Sequence, residues 1–317
     1  LLAKAKQYVQ DGGSAIQPWD DKRYQVPGGG AESPKFMQTM MGTIAMTHMN
    51  TFGNMPSQQA ILSSVYEGLG LPMDRAGKVE TRYFITLLQD PTARSMLRTL
   101  FFSLQECQKG ARRPKDVPRS TIKKLGILGA GLMGQGVAQV SAKVGIDVVL
   151  LDRDLAAAER GKERVAASLQ RDLDKGRTTQ AKKDALLARI HATASYEDLA
   201  GCDLVVEAVF EDRGIKAAVT KAAEAVLGPD AVFATNTSGL PITGLAEASV
   251  RPENFIGMHF FSPVERMQMV EVIMGAKTSQ ATLAKAWDFI LAIKKAAIVV
   301  NDSPGFYTSR VFGTFIT

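Results

Sequence analysis

"KKLGILGAGLMGQGVAQVSAKVG", residues 123–145, decides the fold. A short β-type run ends at Leu128, and three glycines follow at Gly129, Gly131 and Gly134. From there to Gly145 the pattern is helical. A strand that runs into G-x-G-x-x-G and opens a helix is the context in which a glycine loop cradles a dinucleotide. Gly129 allows the tight turn, Gly131 lets the backbone approach a pyrophosphate, and Gly134 lets helix and strand pack closely. The helix start adds free N–H groups and a positive dipole end. The next strand-like run, "DVVLLDRD" (147–154), carries Asp152 about 20 residues beyond the loop, where an acid meets the adenosine ribose 2′-hydroxyl. It would repel a 2′-phosphate, so the spacing points to NAD rather than NADP, with Arg153 beside it pulling the other way.

Outward from this unit the alternation continues. "LAAAERGKERVAASLQRDLDKG" and "TTQAKKDALLARI" form a charged helical pair. "CDLVVEAVFED" reads as strand, "IKAAVTKAAEAVL" as helix and "AVFATNTS" as strand. A helix near 279–295 and a last strand, "AAIVVND" (296–302), close the series. Strands and helices at this spacing predict an α/β, Rossmann-like, doubly wound and mostly parallel sheet. Between them lies "IGMHFFSPVERMQMVEV" (256–272), an apolar strand, a Ser262-Pro263 turn and a second alternating strand. His259 sits in the first strand and Glu271 in the second. Histidine suits a general base because it titrates near operating pH. A carboxylate on its other ring nitrogen would fix the tautomer. A hairpin-like return could set the two side by side. Taken alone, a strand histidine is usually a core residue, and Glu271 would face solvent about as often as not. Ser238 follows a strand's carboxyl end, where open α/β sheets bind ligands. His191 is expected just before a surface strand, Glu265 on the turn in solvent, and His48 in a structural or surface role.

The chain has 317 residues, 45% hydrophobic and 22% charged, which indicates globular structure in about two domains. No apolar run approaches the roughly 20 residues of a membrane span. Cys107 and Cys202 lie in no CxxC or Cys/His cluster, so they read as reduced thiols of a cytoplasmic chain, and no metal site is expected. The net charge of +6 is largely local, in "KGARRPKDVPRSTIKK" (109–124). With its two prolines that run reads as a solvated linker rather than a nucleic-acid arm, and a modest basic balance suits an anionic small substrate. Residues 1–110 read as helical and linker-like. Asp90-Pro91 marks a cap and first helical position, and 92–110 reads as one helix closed by Gly110. The chain opens at Leu1 inside a helix-like run, without Met, and is expected to be an internal piece of a longer polypeptide.

Five blocks carry a resemblance: "LGILGAGLMGQGVAQ", "DLVVEAVFED", "ATNTSGLPIT", "GMHFFSPVERMQMVEV" and "DSPGFYTSRV". In this order they make 122–317 similar to 3-hydroxyacyl-CoA dehydrogenases. Residues 1–115, clearest in "AILSSVYEGLGLPMDRAGKVETRYFITLL", resemble the tail of a hydratase/isomerase module and the linker after it. Together they resemble part of a multifunctional fatty-acid β-oxidation α-chain. The resemblance implies a hydratase-like tail and helical linker over 1–120, an NAD-binding dehydrogenase domain over 121–301, and the start of an all-α C-terminal domain over 302–317. It implies His259 as base, Glu271 as its partner and Ser238 as the serine meeting substrate hydroxyl and cofactor. It implies NAD contacts at Gly129, Gly131, Met133, Gly134, Asp152, Val205, Val206, Glu207, Lys216, Ser238 and Ser262, and substrate contacts at Ser238 and Ser309. Many members carry Asn where this chain has Ser262 and Ser309, and serine lacks the amide's paired geometry. An acyl-CoA substrate and a thiolase β-chain as partner are implied as well, while the hydratase's paired glutamates are absent from this stretch.

Two other readings stay open on the residues. One is a dehydrogenase of a free hydroxy acid on the same scaffold, against which the hydratase-like tail counts. The other is a non-catalytic segment that binds NAD and partner chains.

Overall fold

A computed structural model describes residues 1–21 and 23–316. The chain forms two compact units, Leu1–Ser103 and Leu104–Thr317. The first unit is helical: α1 (Leu2–Gln10), α2 (Pro34–Thr51), α3 (Pro56–Gly68), α4 (Met73–Gln89) and α5 (Pro91–Met96). Asp90 caps α5 by accepting from the Ala93 N–H at 2.8 Å, as its Asp-Pro pair predicts. The single helix expected over 92–110 is not one α-helix. It becomes a π-helix at Leu97–Ser103, and α6 (Leu104–Gln108) already belongs to the second unit.

The second unit is built on one eight-stranded sheet. Its strands are β1 (Lys124–Leu128), β2 (Asp147–Leu151), β3 (Ile190–Thr193), β4 (Leu204–Glu207), β5 (Val232–Thr235), β6 (Phe255–Phe260), β7 (Met269–Ile273) and β8 (Ala296–Val300). The order is β3-β2-β1-β4-β5-β6-β7-β8, with every pairing parallel except β6 with β7. The helices are α7 (Leu132–Lys143), α8 (Leu155–Asp174), α9 (Gln180–Ala188), α10 (Arg213–Glu224), α11 (Ile242–Leu245), α12 (Gln280–Ala292) and α13 (Thr308–Ile316). Four of them start on side-chain caps: Asp154, Thr179, Asp212 and Ser279 each accept a backbone N–H three residues on. β4, β5 and β6 are buried along their whole length, as a sheet covered on both faces requires.

The strand period of two sorts the side chains into two layers. Ile127, Val206, Ala234, Met258 and Val272 pack with α7, α8 and α12, while Val205, Phe233, Phe255 and Ile273 pack with α10 and α11. Glu207, Thr235, His259 and Glu271 alternate with the first set, so they project toward the α10–α11 side. The strand expected to follow His191 includes it: His191 is the second residue of β3, with an exposed side chain 3.5 Å from Asp198.

The basic linker differs from the expectation at one residue. Arg113 is buried and holds Asp288 of α12 through Nε–Oδ1 at 2.7 Å and Nη2–Oδ2 at 2.8 Å. It also donates to the carbonyls of Pro114, Val117 and Pro118. A guanidinium carries donors enough to satisfy a carboxylate and three carbonyls at once, so burial is sustainable for Arg113 where it would not be for a lysine. Among the described residues no helix is long and apolar enough to cross a membrane.

Candidate functional site

The loop between β1 and α7 has the backbone its glycines predict. Gly129 has φ +99°, and a Cβ there would stand 2.6 Å from the Ala208 carbonyl oxygen. A Cβ on Gly134 would meet the Gly129 oxygen at 1.8 Å, which only glycine avoids. Around Gly131 the space is open, so a ligand can approach the bare backbone. The first turn of α7, with its unpaired N–H groups, opens at that point. Asp152 directly follows β2, with one carboxylate oxygen accepting the Ala130 N–H at 2.7 Å and the other the Arg153 N–H at 2.7 Å. The acid thus also ties down the loop. Arg153 turns to Asp154, at 3.3 Å. Met133 is half-buried against the core under the loop. These residues fit a dinucleotide: a bare glycine approach, a helix start and an acid at the neighbouring strand end.

Antiparallel pairing sets His259 directly opposite Glu271. The imidazole Nδ1 lies 2.7 Å from Glu271 Oε2, and the pair is buried, Glu271 completely. An ionised carboxylate can only accept, so Nδ1 is the donor in this contact, and Nε2 is the ring nitrogen that points away from Glu271. The other carboxylate oxygen accepts the backbone N–H of Thr308 at 2.8 Å and of Tyr307 at 3.2 Å. The rings of Phe261 and Phe306 flank the imidazole, with centroids at 4.5 and 6.0 Å.

Ser238 is exposed just past β5. Its N–H donates to Glu211 at 2.9 Å, and Glu211 also accepts the Thr237 hydroxyl and pairs with Lys216 at 3.1 Å. Burial pushes the Glu211 carboxyl up, but the Thr237 hydroxyl, the Lys216 ammonium and the Ser238 amide outweigh it and hold it below the usual range. Asn236 links three strand ends: its N–H donates to the Glu207 carbonyl, and its side chain accepts the Phe260 N–H at 2.8 Å. Sequence reading passed over Glu211, Asn236 and Thr237. The only local signal for Asn236 and Thr237 is the polar Asn-Thr-Ser run after an apolar strand, and Glu211 is one of two acids that follow β4.

The remaining candidates divide. Glu207 and Lys216 are buried against each other at 2.8 Å, with Thr235 and the Val209 N–H completing the carboxylate's bonds. Val205 and Val206 are fully buried with side chains in the two core layers, so any ligand contact there falls to backbone. Ser262 is exposed on the 261–268 turn, and Ser309 is exposed one residue past the Thr308 amide that binds Glu271. That turn is held by another residue the sequence did not mark. Lys295, buried just after α12, donates to the carbonyls of Val264 (2.5 Å) and Met267 (2.6 Å). Burial, partly opposed by Glu265, lowers its pKa below the usual lysine range. Val264 in turn sits on Gly136 of α7, where a Cβ would come within 2.7 Å.

An open cavity of about 1490 Å³ lies in the first unit, lined by Trp19, Tyr24, Gly28–Gly30 and side chains of α3 and α4. Its polar lining includes the carboxylates of Asp20, Asp21 and Glu80 and the hydroxyls of Ser64 and Tyr83. Among the described residues no cluster of three His, Cys, Asp or Glu could hold a metal ion.

A family model described as 3-hydroxyacyl-CoA dehydrogenase, NAD binding domain, matches residues 124–303. Among curated proteins, the fatty acid oxidation complex subunit alpha of Shewanella sp. (strain W3-18-1) is 39% identical over 271 residues, 84% of this chain and 38% of that protein. Its counterpart in Psychrobacter arcticus is 38% identical over 264 residues, 82% of this chain and 36% of that protein. The chain therefore spans well under half the length of these relatives. Among solved structures, an (S)-3-hydroxybutyryl-CoA dehydrogenase from Ralstonia eutropha is 41% identical with a TM-score of 0.61, over 62% of this chain and 69% of that one. A 3-hydroxybutyryl-CoA dehydrogenase from Escherichia coli K12 is 30% identical with a TM-score of 0.57, over 59% of this chain and 39% of that one.

Proposed function

The chain belongs to the 3-hydroxyacyl-CoA dehydrogenase family, whose NAD-binding domain it contains, and from that premise we propose that it oxidises (S)-3-hydroxyacyl-CoA to 3-oxoacyl-CoA in fatty-acid β-oxidation. The observation that carries this reading is the His259–Glu271 pair, buried and in register on the same layer as the polar ends of β4 and β5. Glu271 holds Nδ1–H, so Nε2 is the nitrogen free to take the proton from the substrate's 3-hydroxyl. In the reverse direction the imidazolium returns that proton to the 3-oxygen. Glu271 offsets the positive charge while His259 is protonated. The Ser238 segment is held by Glu211, which accepts its backbone N–H, and in this reading the Ser238 hydroxyl hydrogen-bonds the substrate oxygen. Gly129, Gly131, Gly134 and the start of α7 would hold the NAD pyrophosphate, Asp152 the adenosine ribose, and Met133 and Glu211 the neighbouring surface, with buried Lys216 behind Glu211. NAD, when bound, supplies the acceptor for the hydride that leaves C3.

In the accompanying domain reading, 1–120 is a hydratase-module tail and linker, 121–301 the NAD-binding domain and 302–317 the start of a helical domain. The relatives' names support a complex; we place it in the cytoplasm with a thiolase β-chain as partner, since a thiolase cleaves the β-keto ester that this step makes. The test is His259→Gln in the full-length protein carrying this chain, followed by acetoacetyl-CoA reduction at 340 nm. General-base loss should lower kcat about 10²–10⁴-fold. A rate near wild type refutes the base assignment, and equal rates with free 3-hydroxy acids would refute the CoA ester.

A further inference from the structure

The segment Asp302–Thr308 touches both halves of the site, and its backbone is strained. Gly305 has φ +75° and Phe306, an aromatic residue, φ +47°. Left-handed backbone is disfavoured for a bulky residue and persists only where the surroundings enforce it. Here they do. At one end the Asp302 carboxylate accepts the N–H groups of Ile242 (2.6 Å) and Thr243 (2.8 Å) and the Thr243 hydroxyl. In the middle the Gly305 N–H reaches the carbonyl of Gly239, the residue after Ser238, at 3.2 Å, and the Phe306 ring is buried beside the imidazole. At the other end the Tyr307 and Thr308 N–H groups, at the start of α13, bind the Glu271 oxygen that His259 leaves free.

We propose that this turn is a positioning clamp, with Asp302 holding it to the start of α11, Gly305 holding it to Gly239 beside Ser238, and the Thr308 amide fixing the Glu271 carboxylate, so that serine and base–acid pair keep one register. The inference rests on the roles given above to His259, Glu271 and Ser238. Glu271 has no freedom of its own here: rotating about its terminal torsion to satisfy other partners would break either the imidazole contact or both amide contacts. The positive end of the α13 dipole further favours the ionised carboxylate that Nδ1–H requires. None of these groups needs to touch substrate; each acts through a neighbour.

The discriminating variant is Thr308→Pro. Proline is well tolerated at the first position of a helix and removes the N–H together with the side-chain hydroxyl. Thr308→Ala keeps the N–H, and the Thr308 hydroxyl it deletes is buried without a partner. The first readout is the ¹⁵N spectrum of histidine-labelled protein, where the chain's three histidines are separated with the His259→Gln spectrum. His259 should show the Nδ1–H tautomer in the native protein, a mixture in Thr308→Pro, and the single tautomer again in Thr308→Ala. The second readout is kinetic: Thr308→Pro should lower kcat about tenfold with the NADH KM within about twofold, and Asp302→Asn should raise the acyl-CoA KM severalfold. An unchanged tautomer in Thr308→Pro overturns the clamp, as does an equal loss in Thr308→Ala. If Thr308→Pro does not fold, Asp302→Asn decides, and an unchanged acyl-CoA KM overturns the proposal. Should His259→Gln retain activity, the functional reading falls, yet the tautomer readout still tests the clamp by itself.

Discussion

Arg113 and Asp288 offer a sharp quantitative test, because the pair lies 175 residues apart in sequence and is sealed from water. Arg113→Met would leave the Asp288 carboxylate, its side chain 4% exposed, with only the Ser120 N–H and hydroxyl as donors. Removing one partner of a buried pair costs about 3–5 kcal/mol, mostly from the charge left behind. The double variant Arg113→Met/Asp288→Leu removes both charges, so it should cost less than the sum of the singles by at least ~2 kcal/mol. Trp287, adjacent to Asp288 and fully buried, reports unfolding of the second unit by its emission. The other tryptophan, Trp19, sits in the first unit and is replaced by Phe throughout. Urea titrations then give each variant's stability. Arg119→Met, an exposed residue of the same linker, should stay within about 0.5 kcal/mol. Single losses under about 1 kcal/mol that add in the double variant would refute the idea that the pair anchors the linker to α12.

Three further outcomes follow from the same contacts. Burial pushes the Asp288 carboxyl up, but Arg113 and the Ser120 donors outweigh it, so its folded pKa lies below the usual aspartate value; its stabilisation is present above about pH 3.9 and is lost as pH falls through the lower folded value, and Arg113→Met should flatten the acid limb of the urea midpoint. Asp152→Asn keeps an oxygen for the Ala130 N–H but removes the charge, so the ratio of NAD to NADP affinity, measured by cofactor fluorescence, should fall about tenfold; an unchanged ratio counts against a ribose role. Gly134→Ala forces a Cβ against the Gly129 oxygen, so cofactor affinity should drop by about two orders of magnitude in titration calorimetry while the far-ultraviolet spectrum stays native; tight binding in this variant would contradict the close helix–strand packing.

How far each feature was legible follows from how local its cause is. The glycine loop, the strand–helix alternation and the helix cap at Asp90 depend on neighbours a few residues away, and they stand where the sequence puts them. The π-helical turn at Leu97–Ser103 carries no such mark, since its residues suit an α-helix equally well. The His259–Glu271 pair was half legible. Two facing strands were readable, but not that the return over 261–268 would bring these two into register or bury Glu271 completely.

The sequence by itself determined the scaffold and its cofactor loop: period-two and helical apolar patterns sort residues onto faces, and glycines permit backbone that other residues adopt only under strain. Only the tertiary structure decided who meets whom across the sheet. Arg113 inside the linker, Lys295 under the 261–268 turn, Glu211 behind Ser238 and Asp302 beside α11 are ordinary charged residues in sequence. What makes them matter is burial, which removes water as the alternative partner, so that each charge must find its hydrogen bonds in segments far along the chain.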